Sequence, residues 1–383
     1  MLELVRETGG QEQGTDWRAL AESLGQQFVK SEAEADRSDL FVTDNFATLK
    51  SSGLIAAGVP TELGGGGASH ADLCDVLRIL GRYCSSTALA FSMHTHQVMI
   101  MTWKWHHQNA LVDGLLKRIA KEQLVLLSSG GSDWLQGSGT AKQVEGGFLI
   151  NGRKVFASGA PAGNLLMTSA VYQDPDAGPT VLHFGLPMNA SGITIEPTWQ
   201  VMGMRGTASH DILLSNVFVS DKAIAVRREQ GKWHPAFHLI VAIALPLIYS
   251  VYVGVAEAAR DLAVQKARKR SNEEHVCYMV GSLDNELTAA KLALQHMIST
   301  AVTSQPGFET TNQVQTGRTL VARSVLKVVD LAMEVAGGGS FYRSFGLEKL
   351  FRDAQGARYH PLREEAQCKL SGQIALGWDL SSL

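Results

Sequence analysis

The sequence is poor in charge and in cysteine. Of its 383 residues, 19% are charged, which is below the usual quarter, and the net charge is −3. No basic run is longer than Arg268-Lys269-Arg270, so we expect no nucleic-acid partner. The shortage of charge indicates instead that part of the surface is buried between subunits.

The four cysteines lie far apart, and no two of them have the spacing of a metal or redox motif. This pattern is typical of free thiols in a reducing compartment and favours neither disulfide bonds nor a zinc site. We therefore predict a cytoplasmic protein without a bound metal. The four residues are Cys74, Cys84, Cys277 and Cys368.

The apolar core of a secretion signal is missing from the first residues, MLELVRETGG. One apolar run, from His238 to Ala259, is long enough to cross a bilayer. However, it contains Pro246 and Glu257 and continues directly into a charged helical segment. We therefore predict a buried helix within a bundle and no association with a membrane.

Hydrophobic periodicity divides the chain into three parts. Apolar residues first recur at helical spacing, then alternate with polar residues as in strands, and then return to helical spacing. This order predicts an α+β protein with an N-terminal helical domain (1–120), a middle antiparallel β domain (121–232) and a C-terminal helical bundle (233–383). Within the middle domain, Asn151-Gly152 predicts a two-residue hairpin turn.

Two stretches of the β domain carry groups suited to a planar or phosphorylated ligand. The segment from Leu126 to Asp133 ends a predicted strand in serines and glycines, whose backbone amides and hydroxyls are free to meet such a ligand. The segment Phe156-Ala157-Ser158-Gly159 offers an aromatic face, a hydroxyl and a glycine that permits close approach. Phe156 fits a hydrophobic core equally well, so the residues alone leave its role open.

The C-terminal part holds a third candidate. Gly337-Gly338-Gly339 ends a long apolar helix, and Arg352-Asp353 is followed, after six intervening residues, by His360 and Pro361. Because a proline disfavours the helical conformation in the residue before it, we expect the helix to end or bend at His360. The imidazole then either meets a buried ligand at this break or simply forms a hydrogen bond at the helix end.

Four motifs, in this order, resemble the acyl-CoA dehydrogenase superfamily over nearly the whole chain. The resemblance implies an acyl-CoA dehydrogenase-like fold, with an N-terminal helical domain, a middle antiparallel β-barrel-like domain and a C-terminal four-helix bundle. It also implies a flavin between the last two domains and a homotetramer. The motifs are Gly131-Ser132-Asp133, Asn151-Gly152-Arg153-Lys154 leading to Phe156-Ala157-Ser158, Gly203-Met204-Arg205-Gly206 and Arg352-Asp353.

The resemblance also assigns residues to the flavin. Phe156 is expected beside the isoalloxazine ring, the hydroxyl of Ser158 at its N5 edge, and Ser132 near the phosphate. Arg270 survives from the turn with which the dehydrogenases hold the FAD of a neighbouring subunit, but the rest of that turn is lost, so FMN and FAD both stay open. The expected cofactor residues are Leu126, Ser128, Ser132, Phe156, Ala157, Ser158 and Arg270.

The chain departs from the dehydrogenases at their catalytic base, a carboxylate that removes the α-proton of the acyl-CoA. One family position for this base matches Pro361, and the other, ten residues before Gly254, matches Ala244. Neither residue is a carboxylate. The spacing from the Arg-Asp pair to His360 resembles instead the reduced-flavin monooxygenases of the same superfamily.

That branch implies a flavin-dependent monooxygenase. A separate reductase supplies reduced flavin, O2 adds at C4a, and the resulting (hydro)peroxide oxygenates a small organic substrate. By the resemblance, His360 and Ser158 are catalytic, and His94 on the long N-terminal helix faces the same pocket, with His96 as its rival. An imidazole suits proton transfer because its pKa lies near neutral. Two alternatives stay open: an acyl-CoA dehydrogenase with an unrecognised base such as Glu364, and a flavin- or acyl-binding protein without catalysis.

Overall fold

The computed structural model describes residues 15–129 and 135–380. Its N-terminal part is helical. The first helix begins where the side chain of Asp16 accepts a hydrogen bond from the backbone N–H of Ala19 at 3.0 Å, which satisfies a donor that the first helical turn leaves free. The five helices are α1 (Trp17–Ser38), α2 (Thr43–Ser51), α3 (His70–Tyr83), α4 (Ser85–Gln108) and α5 (Asp113–Glu122).

The middle part is a sheet of eight strands in the order β6-β7-β3-β2-β4-β5-β8, with β1 beside β4. Most pairs are antiparallel, as predicted, but β4 runs parallel to both β1 and β2. The strands are β1 (Leu126–Ser128), β2 (Thr140–Val144), β3 (Gly147–Ala157), β4 (Leu165–Asp174), β5 (Gly178–Pro187), β6 (Ile193–Glu196), β7 (His210–Ser220) and β8 (Ile224–Glu229).

The hairpin predicted at Asn151-Gly152 is wrong, because β3 continues through both residues. The turn between β2 and β3 lies at 145–146 instead, where Gly146 has a φ of +75°. Asn151 and Gly152 mark an irregularity, since the register of β3 against β7 shifts between Ile150 and Gly152. Gly152 is needed there because a Cβ would lie 2.7 Å from the Cα of Gly139.

The C-terminal part consists of three long and two short helices. The apolar run forms a helix that is long and apolar enough to span a membrane, but 94% of its apolar stretch is buried inside the protein. The prediction of a buried bundle helix is therefore confirmed. The helices are α6 (Ala236–Ala267), α7 (Glu274–Thr303), α8 (Phe308–Ala336), α9 (Leu347–Ala354) and α10 (Glu364–Ala375).

The turn before β7 is docked on α9, and this contact joins the β domain to the C-terminal helices. The backbone N–H of Met204 donates to Oδ1 of Asp353 at 2.6 Å, and Nη1 of Arg352 donates to the carbonyl of Met202 at 2.7 Å. A Cβ on Gly203 would lie 2.4 Å from the carbonyl oxygen of Arg352, so only glycine fits between the two elements. The Gly-Met-Arg-Gly and Arg-Asp motifs are therefore two sides of one contact.

A buried ion pair fixes Asp353 in turn. The ammonium of Lys349 lies between the carboxylates of Asp353 and Glu32, and the hydroxyl of Ser85 contacts both carboxylates at 2.7 Å. Burial alone would lower the pKa of Lys349, but the two carboxylates raise it above its ordinary value. The ammonium therefore stays charged and holds α9 against α1 and α4.

Candidate active site

Phe156 projects from the β domain in an unusual conformation. Its side chain is 57% exposed, and its backbone has a φ of +58°, which a residue with a bulky side chain rarely adopts. The register of β3 against β7 shifts between Lys154 and Ala157, and this bulge turns the phenyl ring outwards. Trp199 meets the ring edge-on at 5.9 Å. The aromatic face is therefore presented for contact outside the core.

Two residues further on, the hydroxyl of Ser158 is buried and belongs to a hydrogen-bonded chain. Its Oγ lies 2.8 Å from Oγ of Ser209, which lies 2.8 Å from Oγ1 of Thr207. Oγ1 of Thr207 donates to the carbonyl of Met204 at 2.9 Å. The chain therefore runs from the site to the docked turn.

The direction of this chain follows from counting protons. A carbonyl only accepts, so the single proton of Thr207 points to Met204. Ser209 must then donate to Thr207, and Ser158 must donate to Ser209. Consequently Ser158 offers a bound ligand its lone pairs, as an acceptor, while its proton points away from the ligand.

Strand β1 lies beside these groups in the fold and is held by a histidine. Nδ1 of His94 accepts a hydrogen bond from the backbone N–H of Leu126 at 3.0 Å, and Nε2 donates to the carbonyl of Ile55 at 2.8 Å. Burial lowers the pKa of His94 from 6.5 to about 4, so the ring is neutral. Ser128, at the end of β1, is half-buried.

His94 thus has both ring nitrogens bonded to backbone atoms. These bonds give it a structural function, the placement of β1, while its predicted catalytic role stays a prediction. The rival His96 is bonded in a similar way, since Nδ1 donates to the carbonyl of Ser92 at 3.1 Å and Nε2 contacts Gln97 at 3.1 Å. The predicted cofactor residue Ser132 lies outside the described residues.

His360 lies where the predicted break occurs, after α9 and its short helical extension end. Its Nε2 lies 2.7 Å from the hydroxyl of Tyr252 on α6. The carbonyl of His360 accepts a hydrogen bond from Nη2 of Arg318 at 2.8 Å. The ring of Tyr249 meets the imidazole edge-on at 6.0 Å. Both the ring and the backbone of His360 are therefore fixed from the surrounding bundle.

The surroundings of His360 keep its imidazole neutral. Burial, together with the positive charge of Arg318, lowers the pKa of His360 from 6.5 to about 3. Arg318 is itself buried and also donates to the carbonyls of Ala357 and Arg358 at 3.3 and 3.1 Å. It thereby satisfies backbone carbonyls at the end of the helical turn that precedes His360.

The predicted residues form two groups, one at the end of strand β3 and one at His360 after α9. Phe156 and Ser158 share one strand end, and the hydroxyl chain from Ser158 reaches Met204, which is bonded to Asp353 on α9, the helix that leads to His360. Arg270 belongs to neither group. Its guanidinium is paired with Glu273 at 2.9 Å on the surface, beyond the end of α6.

Five residues around the site were not identified from the sequence. Thr207 and Ser209 are the first and third residues after the Gly-Met-Arg-Gly motif, so polar residues at those positions were the available signal. Tyr252 and Arg318 face His360 from α6 and α8, and a phenol and a guanidinium inside apolar helical patterns mark such positions. Trp199 precedes the same motif, and its indole N–H donates to Met204.

Comparison with known protein families shows matches along most of the chain. The N-terminal domain of acyl-CoA dehydrogenase matches residues 11–117, its middle domain matches residues 128–217, and its C-terminal domain matches residues 246–368.

Several characterised or named proteins are similar over nearly their whole length. A putative acyl-CoA dehydrogenase, YdbM, of Bacillus subtilis is 25% identical and is aligned over 93% of this chain and 95% of its own. An L-evernosamine nitrososynthase of a Micromonospora species is 26% identical and is aligned over 91% of this chain and 86% of its own. A dibenzothiophene monooxygenase of Rhodococcus erythropolis is 23% identical and is aligned over 92% of this chain and 91% of its own.

A solved structure has the same fold. The protein KijD3, in complex with FMN and dTDP-3-amino-2,3,6-trideoxy-4-keto-3-methyl-D-glucose, superposes with a TM-score of 0.86. The superposition covers 95% of each chain at 24% sequence identity, which shows the shared fold.

Proposed function

Since the chain belongs to the acyl-CoA dehydrogenase superfamily, we propose that it is a flavin-dependent monooxygenase of that superfamily. The resemblance predicted from its motifs, and the acyl-CoA dehydrogenase-like fold, are confirmed. Relatives named as nitrososynthases and as a dibenzothiophene monooxygenase support the monooxygenase branch.

One observation carries the proposal: among the described residues, no carboxylate forms a hydrogen bond or ion pair with His360. Its ring contacts are Tyr249 and Tyr252, and its carbonyl contacts Arg318. Ala244 is buried in α6, where the second type of dehydrogenase keeps its base. Desaturation of an acyl-CoA needs such a base, whereas the imidazole of His360, with its pKa lowered to about 3, is a weak base that suits a hydrogen bond near an oxygenation site.

The rival base Glu364 is engaged elsewhere. Its carboxylate accepts a hydrogen bond from Nε of Arg323 at 3.2 Å, and its side chain is 41% exposed. The guanidinium lowers the pKa of Glu364. A carboxylate in this setting is a weak base on the protein surface, which argues against the dehydrogenase alternative.

The β-domain groups fit a flavin. The exposed ring and positive φ of Phe156 are both unfavourable in the isolated chain, and stacking against a planar ligand would compensate for them. We assign the ring system to Phe156, Ala157 and Ser158, with Leu126 and Ser128 along the neighbouring strand. Ser132 and, from a neighbouring subunit, Arg270 are proposed for the phosphate end.

The bound reduced flavin would supply two electrons, so that one atom of O2 leaves as water and the other is transferred to the substrate, which supplies the remaining two electrons. With the flavin bound, Ser158 would accept a hydrogen bond from the N–H at N5 of the reduced ring. His360 would hold a proton for the oxygen chemistry that the flavin supplies. Burial of Ser158 keeps water away from its hydroxyl.

The substrate class follows from the relatives. They are named as a nitrososynthase of an amino sugar and as a monooxygenase of dibenzothiophene, a sulfur heterocycle, and we propose that this chain likewise oxygenates nitrogen or sulfur in a small organic molecule. A separate reductase in the cytoplasm supplies reduced FMN or FAD to a homotetramer. The chain is organised in three domains, 1–120, 121–232 and 233–383, with the flavin between the last two.

Two assays on the same protein test this function. In air, we expect consumption of dibenzothiophene, or of the dTDP-amino sugar bound by KijD3, only when FMN is kept reduced by NADH and a flavin reductase. Without oxygen, we expect butyryl-CoA to leave the absorbance of added FAD unchanged. Bleaching of FAD by butyryl-CoA without a reductase would show that the protein is a dehydrogenase.

A further inference from the structure

The hydroxyl of Tyr252 and the imidazole of His360 form an isolated hydrogen-bonded pair. The Tyr252 oxygen and Nε2 of His360 are 2.7 Å apart. Within residues 15–129 and 135–380, this is the one hydrogen bond of the Tyr252 hydroxyl. Nδ1 of His360 has no hydrogen bond there and is not fully buried. The side chain of Tyr252 is fully buried. The position of the single proton between these atoms therefore decides whether Nδ1 carries an N–H donor or a lone pair.

Only one arrangement leaves no buried donor unused. If Tyr252 donates to Nε2, the phenol proton is satisfied, and the ring of His360 carries its own proton on Nδ1, which is not fully buried and is open to water or a ligand. If Nε2 donates to the phenol oxygen instead, the buried phenol proton has no acceptor. An unmade hydrogen bond of a buried donor costs about 1–3 kcal/mol. The first arrangement is therefore favoured.

The surroundings of the pair keep both groups uncharged. Burial raises the pKa of the Tyr252 phenol well above its ordinary value, so the phenol retains its proton. Burial and the charge of Arg318 on α8 lower the pKa of His360, so the imidazole carries one proton. Tyr249 on α6 also faces the imidazole, and burial raises the pKa of its phenol.

We propose that Tyr252 is a positioning residue that fixes His360 as the tautomer protonated on Nδ1. His360 then offers a ligand an N–H donor, and its other nitrogen is closed off by the phenol. This role rests on the proposed function, because a donor at Nδ1 is what the handling of a departing oxygen atom requires. The tautomer itself is a property of the chain and is measurable without flavin or substrate.

Tyr249 provides a matched control. It lies on the same helix, is also fully buried, and contacts the same imidazole through its ring. However, its hydroxyl donates to the carbonyl of Ala357 at 2.7 Å instead of to the ring. Removal of this hydroxyl disturbs the packing around His360 to a similar extent but leaves Nε2 with its donor.

The test is the ring-nitrogen NMR spectrum of protein labelled with 15N-histidine, with His360 assigned by His360→Gln. In the wild type, we expect the His360 proton on Nδ1. His94 serves as an internal standard of the opposite tautomer, since its Nδ1 accepts from Leu126 and its proton is therefore on Nε2. In Tyr252→Phe, we expect the His360 signal to move to the Nε2 tautomer or to a mixture, and in Tyr249→Phe to stay unchanged.

A wild-type spectrum with the His360 proton on Nε2 would overturn the proposal, and so would a Tyr252→Phe spectrum that keeps the proton entirely on Nδ1. If Tyr252→Phe does not fold, as judged by loss of the His94 signal, the wild-type spectrum alone decides. These outcomes are separate from those of the oxygenation assay. A correct tautomer in a protein that fails that assay would count against the proposed function only.

Discussion

The hydroxyl of Ser158 donates its proton to the hydroxyl of Ser209, 2.8 Å away, because Thr207 commits its own proton to the carbonyl of Met204. Ser158 therefore meets a ligand as an acceptor. A reduced flavin carries a proton on N5 and an oxidised flavin does not, so at the proposed flavin site this polarity would favour the reduced form. Such a preference is what the proposed supply of reduced flavin by a reductase requires.

Replacement of Thr207 by valine tests this polarity. Without the acceptor at Thr207, Ser209 is free to donate to Ser158, and Ser158 is free to donate to an oxidised ring. We expect the preference for reduced over oxidised FMN to fall about fivefold, the equivalent of one hydrogen bond of about 1 kcal/mol. Anaerobic titration of both forms of FMN measures the ratio of the dissociation constants.

Thr207→Ser is the control for this experiment, because it keeps the hydroxyl and should keep the wild-type ratio. An unchanged ratio in Thr207→Val would show that the hydroxyl chain does not set the polarity of Ser158.

His360→Ala removes the imidazole at the helix break. Loss of a positioned acid or base lowers turnover by roughly two to four orders of magnitude, and we expect product formation from reduced FMN and O2 to fall by that amount. The affinity for FMN should change little, since Phe156 and Ser158 are untouched. His106→Ala, on the exposed end of α4, is the control. Full activity of His360→Ala would remove His360 from the mechanism.

Substitutions at Asp353 and Glu364 compare the stability contribution of a buried ion pair with that of an exposed one. Asp353→Asn leaves the buried ammonium of Lys349 undercompensated, and we expect a loss of about 3–5 kcal/mol in the free energy of unfolding. Glu364→Gln removes the exposed pair with Arg323 and should cost no more than about 1 kcal/mol. Urea denaturation measures both variants.

The same Glu364→Gln variant also tests the rival mechanism. We expect it to retain the oxygenation activity in full. An inactive but folded Glu364→Gln would return this carboxylate to consideration as a catalytic base.

His94 makes the fold sensitive to acid. Its pKa is lowered by burial from 6.5 to about 4, so between these pH values the unfolded chain binds a proton that the folded protein excludes. Its contribution to stability is therefore complete above pH 6.5 and is lost as the pH falls towards 4. At pH 5 the loss amounts to about 2 kcal/mol.

Both proteins should lose stability between pH 7 and pH 5. We expect this decrease in the free energy of unfolding to be about 2 kcal/mol smaller in His94→Gln than in the wild type. His106→Gln, at an exposed site, should keep the wild-type pH dependence. Urea midpoints at the two pH values measure the difference, and an equal decline in His94→Gln would show that this ring does not exclude a proton.

Local patterns predicted the fold well because they reflect local physics. The apolar run around Pro246 is interrupted by polar residues, and it forms the buried helix expected of such a pattern. The hairpin at Asn151-Gly152 was wrong for the opposite reason. The same dipeptide lies at a register irregularity of β3, where Gly152 packs against Gly139 at the start of the neighbouring strand β2, and the dipeptide alone does not indicate that contact.

In the site, too, local sequence predicted some features and contacts between separate parts of the chain set the others. The motifs predicted Phe156, Ser158 and His360 as candidates, but the partners that determine their protonation lie elsewhere in the chain. Tyr252 and His360 are 108 residues apart, and no local pattern pairs them. The proton direction at Ser158 likewise depends on a bond between Thr207 and Met204, which only the folded turn creates.

The central claim is tested most directly by stopped-flow absorbance of reduced FMN mixed with O2 in the presence of the protein and without substrate. We predict that oxidised FMN reappears more slowly than from free reduced FMN, in a phase that is shortened in His360→Ala and unchanged in His106→Ala. Reappearance of oxidised FMN at the rate of the free flavin would contradict the assignment as a monooxygenase.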